Sequence, residues 1–332
     1  MSNLLEVNNL VVSFATKEGE VQAVRDVSFF LKRGEVLAIL GESGSGKSVL
    51  CKSILRILPE NGCIKSGEVI LNGKNLTNLS PKAMAKVRGN DISMVFQDPM
   101  TSLNPTMSIG NQIMEAVLIH QKMSRSEAKK KSIELIELVG IDQAEKRFEQ
   151  YPHHFSGGMR QRSVIAIALA SKPKVLIADE PTTALDVTIQ AQILELFQEL
   201  RIKIGISIIF ITHDLGVVAN IAQRIAVMYA GKIVEIGTTE DIFHDPRHPY
   251  TWGLMSSLPK LDSDEDFLNC ISGMPPNLLN LPKGDAFAER NKYALKIDYL
   301  AEPPMYRISD THSAATWLLH ENAPKIKPPV KF

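Results

Sequence analysis

The sequence predicts an α/β fold built on a sheet of buried strands. Three observations predict it. A short apolar run, Val36 to Leu40, leads into the loop Gly41-Glu-Ser-Gly-Ser-Gly-Lys-Ser48 and then into a helical pattern. A second run, Val175 to Ala178, ends in the paired acids Asp179 and Glu180. A third, in "GISIIFIT", is followed at once by His213. Continuous apolar runs of this length, bounded by turn residues, read as strands buried on both faces.

The loop after the first strand matches G-x-x-x-x-G-K-[ST], and it lies between a strand and a helix as its chemistry requires. Gly41, Ser43, Gly44, Ser45 and Gly46 can turn backbone N–H groups inward around phosphate oxygens. Lys47, Ser48 and Val49 open the helix, whose N-terminus adds partial positive charge. Lys47 is expected to reach the β- and γ-phosphates of a nucleotide, and Ser48 to ligate Mg²⁺. Asp179, at the end of its strand, is a second expected Mg²⁺ ligand. Glu180 beside it can polarise an attacking water. Adjacent carboxylates repel unless a cation faces one of them.

His213 sits where a side chain can contact the γ-phosphate. Another apolar run, Ile92 to Phe96, ends at Gln97, and Asp98-Pro99 stops the strand there. Gln97 is read as a hinge residue, with a role in Mg²⁺ binding and catalysis. Downstream, Ser124 with Glu127 three residues on forms a capping box, Ile133, Ile136 and Val139 give a helical stripe, and Gly140 ends it. Asp186 caps a helix running to Gly205, with Ile189, Ile193, Leu196, Phe197, Leu200 and Ile204 on one face.

Composition narrows the function classes. In 332 residues, 44% are hydrophobic and 22% charged, as in a soluble globular protein. Lys plus Arg and Asp plus Glu both number 37, which argues against a nucleic-acid partner. Cys51, Cys63 and Cys270 are too few and too scattered for a disulfide framework and imply a reducing compartment. The N-terminus lacks the pattern of a signal peptide, and no stretch approaches the roughly 18 apolar residues of a membrane span.

One segment names a family. Ser156-Gly157-Gly158-Met159-Arg160-Gln161-Arg162 precedes an apolar helix that feeds the strand ending at Asp179. With the phosphate loop, Gln97, Asp179-Glu180, Asp186 and His213 in order, the chain resembles ATP-binding cassette (ABC) proteins. The resemblance implies a P-loop NTPase core with a RecA-like mixed sheet, an antiparallel β subdomain and a helical subdomain at about 98–170. It also implies that Ser156, Gly157, Gly158, Met159 and Asp186 act in trans on a nucleotide held by an opposing subunit. Phe14 falls where the family stacks an aromatic on adenine, although a core aromatic on an alternating strand fits it too. Phe155 in place of the usual leucine is a mild departure that leaves Ser156 and the glycines intact.

The flanks narrow it further. "FQDPMTSLNP", "YPHHFSGGMRQR", "HDPRHPYTWGLMSSLP" and "SGMPPNLLNLPKG" resemble the ATP-binding subunits of oligopeptide and dipeptide importers, the OppD/DppD type. That resemblance implies an ATPase at the cytoplasmic side of the cell membrane and an ATPase domain over 1–258 with an extension over 259–332. The implied partners are a second, related ATPase subunit, two transmembrane permease subunits and an external peptide-binding protein. Nickel or another small solute as cargo, a soluble cassette ATPase and a purely regulatory nucleotide-binding module stay open as alternatives. Pro249, Tyr250, Trp252 and Leu258 read only as packing residues.

The extension departs from the family. Many relatives carry four cysteines there, proposed to hold an iron–sulfur cluster. The corresponding positions are Asp285, Asn291, Asp298 and Thr316, and Cys270 stands alone, so no cluster is expected. Asp285, Asp298 and His312 as ligands of a harder metal are a weaker reading than solvated or capping carboxylates. Phe287, Tyr293, Leu295, Tyr299 and Trp317 are then the expected anchors, and "KIKPPVKF" a flexible basic end.

Overall fold

The computed structural model describes residues 3–183, 185–257 and 271–329. Leu258, Cys270 and the last three residues of the basic end lie outside them. In chain order the elements are β1 (Asn3–Thr16), β2 (Gly19–Lys32), β3 (Val36–Leu40), α1 (Lys47–Ile54), β4 (Gly62–Leu71), β5 (Lys74–Asn75), α2 (Pro81–Val87), β6 (Ile92–Val95), α3 (Pro99–Ser102), α4 (Ile109–His120), α5 (Arg125–Leu138), α6 (Ala144–Phe148) and α7 (Gly157–Leu169). Then come β7 (Val175–Asp179), α8 (Val187–Ile204), β8 (Ser207–Thr212), α9 (Leu215–Ile221), β9 (Arg224–Tyr229), β10 (Lys232–Thr238), α10 (Thr239–His244), α11 (Pro249–Ser256), β11 (Tyr306–Arg307) and β12 (Ser313–Ala314). The chain divides into two compact units, one of Leu31–Val36 with Asn78–Ile211, the other of Asn3–Phe30, Leu37–Thr77 and Thr212 onward.

The first unit holds three parallel strands in the order β8-β7-β6. β7 and β8 are buried along their whole length. That is why they carry no polar alternation. α5 starts at the expected capping box, Ser124 accepting from Glu127 N and the Glu127 carboxylate from Ser124 N at 2.7 Å. Gly140, at φ 71°, follows its end. The buried stripe is Ala128, Ser132, Leu135, Ile136 and Val139, while Ile133 is half-buried. Spacings of four, three, one and three keep those residues on one helical face and turn Ile133 to its border. In α4, Gly110 is dictated by contact, since a Cβ there would lie 2.1 Å from the Phe148 ring of α6.

α8 is capped as the sequence predicts, by Asp186 Oδ1 accepting from Ile189 N at 2.9 Å and by Gly205 at φ 67°. Its buried residues are Ile193, Leu194, Leu196, Phe197 and Leu200. Phe197 meets Phe210 of β8 edge-on, with centroids 5.5 Å apart. Ile204, expected on this face, is 45% exposed. It closes the helix a full turn beyond Leu200, past the surface the helix packs on.

The second unit contains an antiparallel sheet, β2-β1-β4-β5, and a mixed sheet, β11-β12-β10-β9-β3. In the mixed sheet β3 runs parallel to β9 and the remaining neighbours are antiparallel. β12 belongs to the C-terminal extension and pairs with β10 through Glu235–Ala314 and Ile236–Ser313. Ring contacts join the extension to α11. Phe287 is buried against Tyr229, Tyr250 and His248, and Trp252 meets Tyr293 at 5.4 Å. Trp317 Nε1 donates to the Ala301 carbonyl at 2.9 Å, and Glu302 pairs with both Arg25 and Lys232. Leu295 is half-buried. Tyr299, expected as an anchor, is 55% exposed. Asp298 takes the inward place in that turn, accepting from Leu295 N at 2.6 Å, and this turns Tyr299 outward.

The four extension positions named above are buried rather than solvated. Each caps a local turn. Asp285 accepts from Phe287 N at 3.0 Å, Asn291 from Tyr293 N at 2.9 Å, Asp298 from Leu295 N and Thr316 from Leu318 N at 3.3 Å. Among the described residues, no group of three or more His, Cys, Asp or Glu could hold a metal ion.

Two predictions follow from this packing. Phe197→Ala removes a buried ring and should cost about 3–5 kcal/mol in denaturant unfolding, whereas Ile204→Ala should cost ~0.5 kcal/mol or less; equal losses would contradict the assigned face. The second concerns Asp285, pushed up from 3.8 to about 6 by burial, with the Asp298 and Glu302 carboxylates adding to it against the Phe287 hydrogen bond. A raised folded-state value favours the protonated form, so this advantage is full below 3.8 and lost as pH rises through about 6. Asp285→Asn mimics the protonated form and keeps the cap acceptor. It should raise Tm at pH 8 and leave it unchanged near pH 3.5; a lower Tm at pH 8 would refute the account.

Candidate functional site

The phosphate loop leaves β3 and enters α1 with its outer glycines pinned by main chain. A Cβ on Gly41 would lie 2.2 Å from the Met228 carbonyl oxygen, and one on Gly46 2.3 Å from that of Ala23. These two glycines are therefore required by protein contact before any ligand is considered. Gly44 and Gly46 also adopt φ of 79° and 100°, which glycine accepts without strain. The loop is tied down by Gly231 N donating to Ser45 O at 2.9 Å and by Glu42 N donating to the Tyr250 hydroxyl at 2.9 Å.

The donor set fits an anion. α1 has no side-chain N-cap and no acid in its first turn, so no carboxylate offsets the partial positive charge at its start. The Ser45 hydroxyl is buried without a hydrogen-bond partner. Buried orphans of this kind are uncommon in folded proteins. Lys47 is buried, and its Nζ donates to the carbonyls of Gly41 at 2.7 Å and Glu42 at 2.9 Å. A buried ammonium, an orphaned hydroxyl and a helix start free of acidic side chains suit the phosphates of a nucleotide. Ser48 and Val49 continue α1. Phe14, half-buried on β1, lies opposite Gly62 of β4, with its Cε1 2.6 Å from where a Cβ on that glycine would stand.

His213 directly follows β8 and is exposed. The residue after it fixes the turn. Asp214 caps α9, accepting from Gly216 N at 2.8 Å and Val217 N at 3.3 Å.

In the other unit, β7 ends at buried Asp179, and Glu180 follows at φ 47°, unusual for a residue with a Cβ. Its N–H donates to Ile211 O at 3.0 Å. Its carboxylate Oε2 accepts from Gln97 Nε2 at 3.1 Å and from Thr183 Oγ1 at 3.0 Å. The parallel register of β6 and β7, Val95 opposite Ala178, brings Gln97 to Glu180. The sequence reading missed Thr183. Its only signal is a hydroxyl three residues after the carboxylate.

Ser156 caps α7, its Oγ accepting from Met159 N at 3.3 Å. Ser156 and Gly157 are exposed, while Gly158 is buried. A Cβ on Gly158 would sit 2.6 Å from Ile189 Cγ2, so this glycine also lets α7 approach α8. Tyr250, read from sequence only as a packing residue, hydrogen-bonds the phosphate loop. Arg290 of the extension, not singled out at all, pairs with Glu42 of the loop.

Comparison with known proteins accords with this geometry. The family model for ABC transporters matches residues 24–183, and that for the oligopeptide/dipeptide transporter C-terminal region matches 234–297. The oligopeptide transport ATP-binding protein OppD of Bacillus subtilis (strain 168) is 62% identical, covering 99% of this chain and 92% of that protein. The dipeptide transport ATP-binding protein DppD of Lactococcus lactis subsp. cremoris (strain MG1363) is 59% identical over 98% of this chain and 93% of its own. Among solved structures, the dimeric post-hydrolysis state of the ATP-binding cassette MJ0796 bound to ADP and Pi superposes with a TM-score of 0.64 at 26% identity, covering 71% of this chain and 98% of that one. CbiO1 from Clostridium perfringens, part of the ABC transporter complex cbiONQ, gives 0.64 at 30% identity over 73% and 91%. With a relative this similar along almost its whole length, the chain belongs to the ABC transporter family, among the ATP-binding proteins of the oligopeptide and dipeptide type.

Proposed function

We propose that this chain is the ATP-hydrolysing subunit of an importer for oligopeptides or dipeptides. It works as one half of an ATPase dimer with a related second subunit, at the cytoplasmic face beneath two permease subunits that receive peptide from an external binding protein. The observation that carries this reading is the near-full-length similarity to peptide-transport ATP-binding proteins, C-terminal extension included. Among the described residues, no helix is long and apolar enough to cross a membrane, so the path for cargo is assigned to other chains. Residues 1–258 form the ATPase domain in this reading and 259–332 its extension, with the helical subdomain at about 98–170 as the surface offered to the permeases.

The chain's residues divide the work. The N–H groups of Gly44 to Ser48 hold phosphate oxygens, and Lys47 exchanges the loop carbonyls for the β- and γ-phosphates. Phe14 stacks on adenine. Ser48, Gln97 and Asp179 would hold Mg²⁺, which would supply charge neutralisation to the phosphates when bound. Glu180 orients and polarises the attacking water. Gln97 and Thr183 hold its carboxylate in place through their hydrogen bonds to Oε2. His213 contacts the γ-phosphate. Ser156, Gly157, Gly158, Met159 and Asp186 serve the nucleotide bound by the opposing subunit, so an isolated chain turns over slowly. Losing one such donor costs about 10²–10³ in rate.

Two substitutions test the assignment in the assembled complex. Glu180→Gln should lower ATP turnover by at least about 10²-fold while trapping an ATP-bound dimer on size exclusion; near-normal turnover would remove Glu180 from its role. Ser156→Arg should abolish hydrolysis at the partner's loop and leave ATP binding by this chain's own loop intact. Loss of that binding, with α7 still folded by circular dichroism, would refute action in trans.

A further inference from the structure

The C-terminal extension meets the phosphate loop at Glu42, the second residue of that loop. Each part of this residue is held. Its N–H donates to the Tyr250 hydroxyl at 2.9 Å, its carbonyl accepts Lys47 Nζ at 2.9 Å, and its carboxylate takes both terminal nitrogens of Arg290. The last contact is bidentate, Nη1 to Oε2 at 2.6 Å and Nη2 to Oε1 at 2.9 Å. This parallel fork is the strong form of the ion pair and one that lysine cannot reproduce.

Arg290 is built into this place. Its side chain is only 6% exposed. Nε donates to Ser272 O at 3.0 Å and Nη1 also to the Tyr229 hydroxyl at 3.3 Å. The guanidinium lies 5.7 Å from the Tyr229 ring and 6.0 Å from that of Phe287. The residue closes the short turn Ala288–Arg290, whose Phe287 is clamped among Tyr229, Tyr250 and His248. Few side-chain freedoms are left to lose when it pairs.

The loop pattern leaves position 42 open to any residue, and a carboxylate is an odd choice beside a polyanion. An uncompensated negative charge in the loop would repel phosphate. It would also draw Lys47 toward itself, away from a nucleotide. Glu42 is tolerable only if its charge is cancelled locally, and the cancelling charge comes from the extension, 248 residues away in sequence.

We propose that Arg290 is a positioning residue for nucleotide binding, through which the extension neutralises Glu42 and fixes the loop that carries Lys47. This rests on the nucleotide-binding reading above. It gives the extension a task inside the ATPase. A docked extension yields a loop competent for a nucleoside triphosphate; an undocked one yields a loop that repels it. Linkage makes the effect mutual, so bound nucleotide also tightens the docking of the extension.

The test is titration of the full-length chain with a fluorescent ATP analogue in the presence of Mg²⁺, at low and high salt. Arg290→Ala should raise the dissociation constant at least about tenfold at low salt, with a smaller defect at high salt, where charge repulsion is screened. Adding Glu42→Gln to Arg290→Ala should bring the affinity back to within about threefold of wild type. A merely structural role would leave the double variant as weak as the single one, and that result overturns the proposal. So does an Arg290→Ala chain that binds as tightly as wild type. If Arg290→Ala loses its cooperative melting transition, Arg290→Met takes its place, keeping the aliphatic stem against Tyr229 and Phe287, with the same outcomes expected. A wild-type chain that fails to bind the analogue at all would refute the nucleotide reading itself, a result distinct from the failure of Arg290.

Discussion

Main-chain atoms pressed against the phosphate loop set the geometry of everything near it. The register of β3 on β9 pairs Leu40 with Val227, which carries the Met228 carbonyl alongside Gly41. At the loop's other end the Ala23 carbonyl of β2 stands against Gly46. The turn between β9 and β10, with Ala230 at φ 45° and Gly231 at φ 82°, reaches back to hold both neighbours. Gly231 N donates to Ser45 O, and Gly231 O accepts from Arg25 N at 2.8 Å. No side chain can enter at positions 41 or 46, so the loop cannot relax outward. The start of α1 is thereby aimed, Lys47 is folded over its own loop, and the Ser45 hydroxyl is left buried without a partner. An interior this tightly packed transmits a local change rather than absorbing it.

A different constraint shapes the carboxylate that follows β7. Glu180 leaves β7 at φ 47°, a backbone state that costs a residue with a Cβ about 1 kcal/mol or more. A strand continued past Asp179 would carry the next side chain to the opposite face of the sheet. The left-handed turn breaks that alternation. Hydrogen bonds from its N–H to Ile211 and to its carboxylate from Gln97 and Thr183 offset the strain. A carboxylate so held would need little reorganisation in the role proposed for it.

What could be read from sequence follows from how local each signal is. Strands β3, β7 and β8 announce themselves because burial on both faces leaves continuous apolar runs, with polar residues only at the ends of β7 and β8. The capping box at Ser124 and Glu127, and the Asp186 and Gly205 ends of α8, depend on neighbours within one turn. The strand-end residues Asp179, Glu180, Gln97 and His213 inherit their positions from β7, β6 and β8. Ile204 and Tyr299 were misplaced because helix period says nothing of where the opposing surface ends, or of which residue a short turn sends inward. The pairs Tyr250–Glu42 and Arg290–Glu42 span 208 and 248 residues. No periodicity encodes contacts that distant, and only the folded chain reveals them.

The manner in which the extension is fastened argues that it is integral to the ATPase. A peripheral appendage would dock through exposed ion pairs, each worth about 1 kcal/mol at most. Here β10 contributes Glu235, fully buried, accepting from Arg247 N at 2.6 Å, from His248 N at 3.0 Å and facing His312 Nε2 of the extension at 2.8 Å. A buried carboxylate stripped of such partners is costly by several kcal/mol, so losing the extension would destabilise the core strand beside β9. The same unit that contains the phosphate loop therefore contains the extension. Arg290 reaches the loop and His312 reaches the sheet that supports it. With buried caps at Asp285, Asn291, Asp298 and Thr316 closing its own turns, the extension holds its shape through polar groups that are each satisfied locally. Such groups are tolerable inside a protein only when the surrounding chain stays in place. Docking and internal order of the extension are accordingly one cooperative property, and the loop that carries Lys47 depends on it.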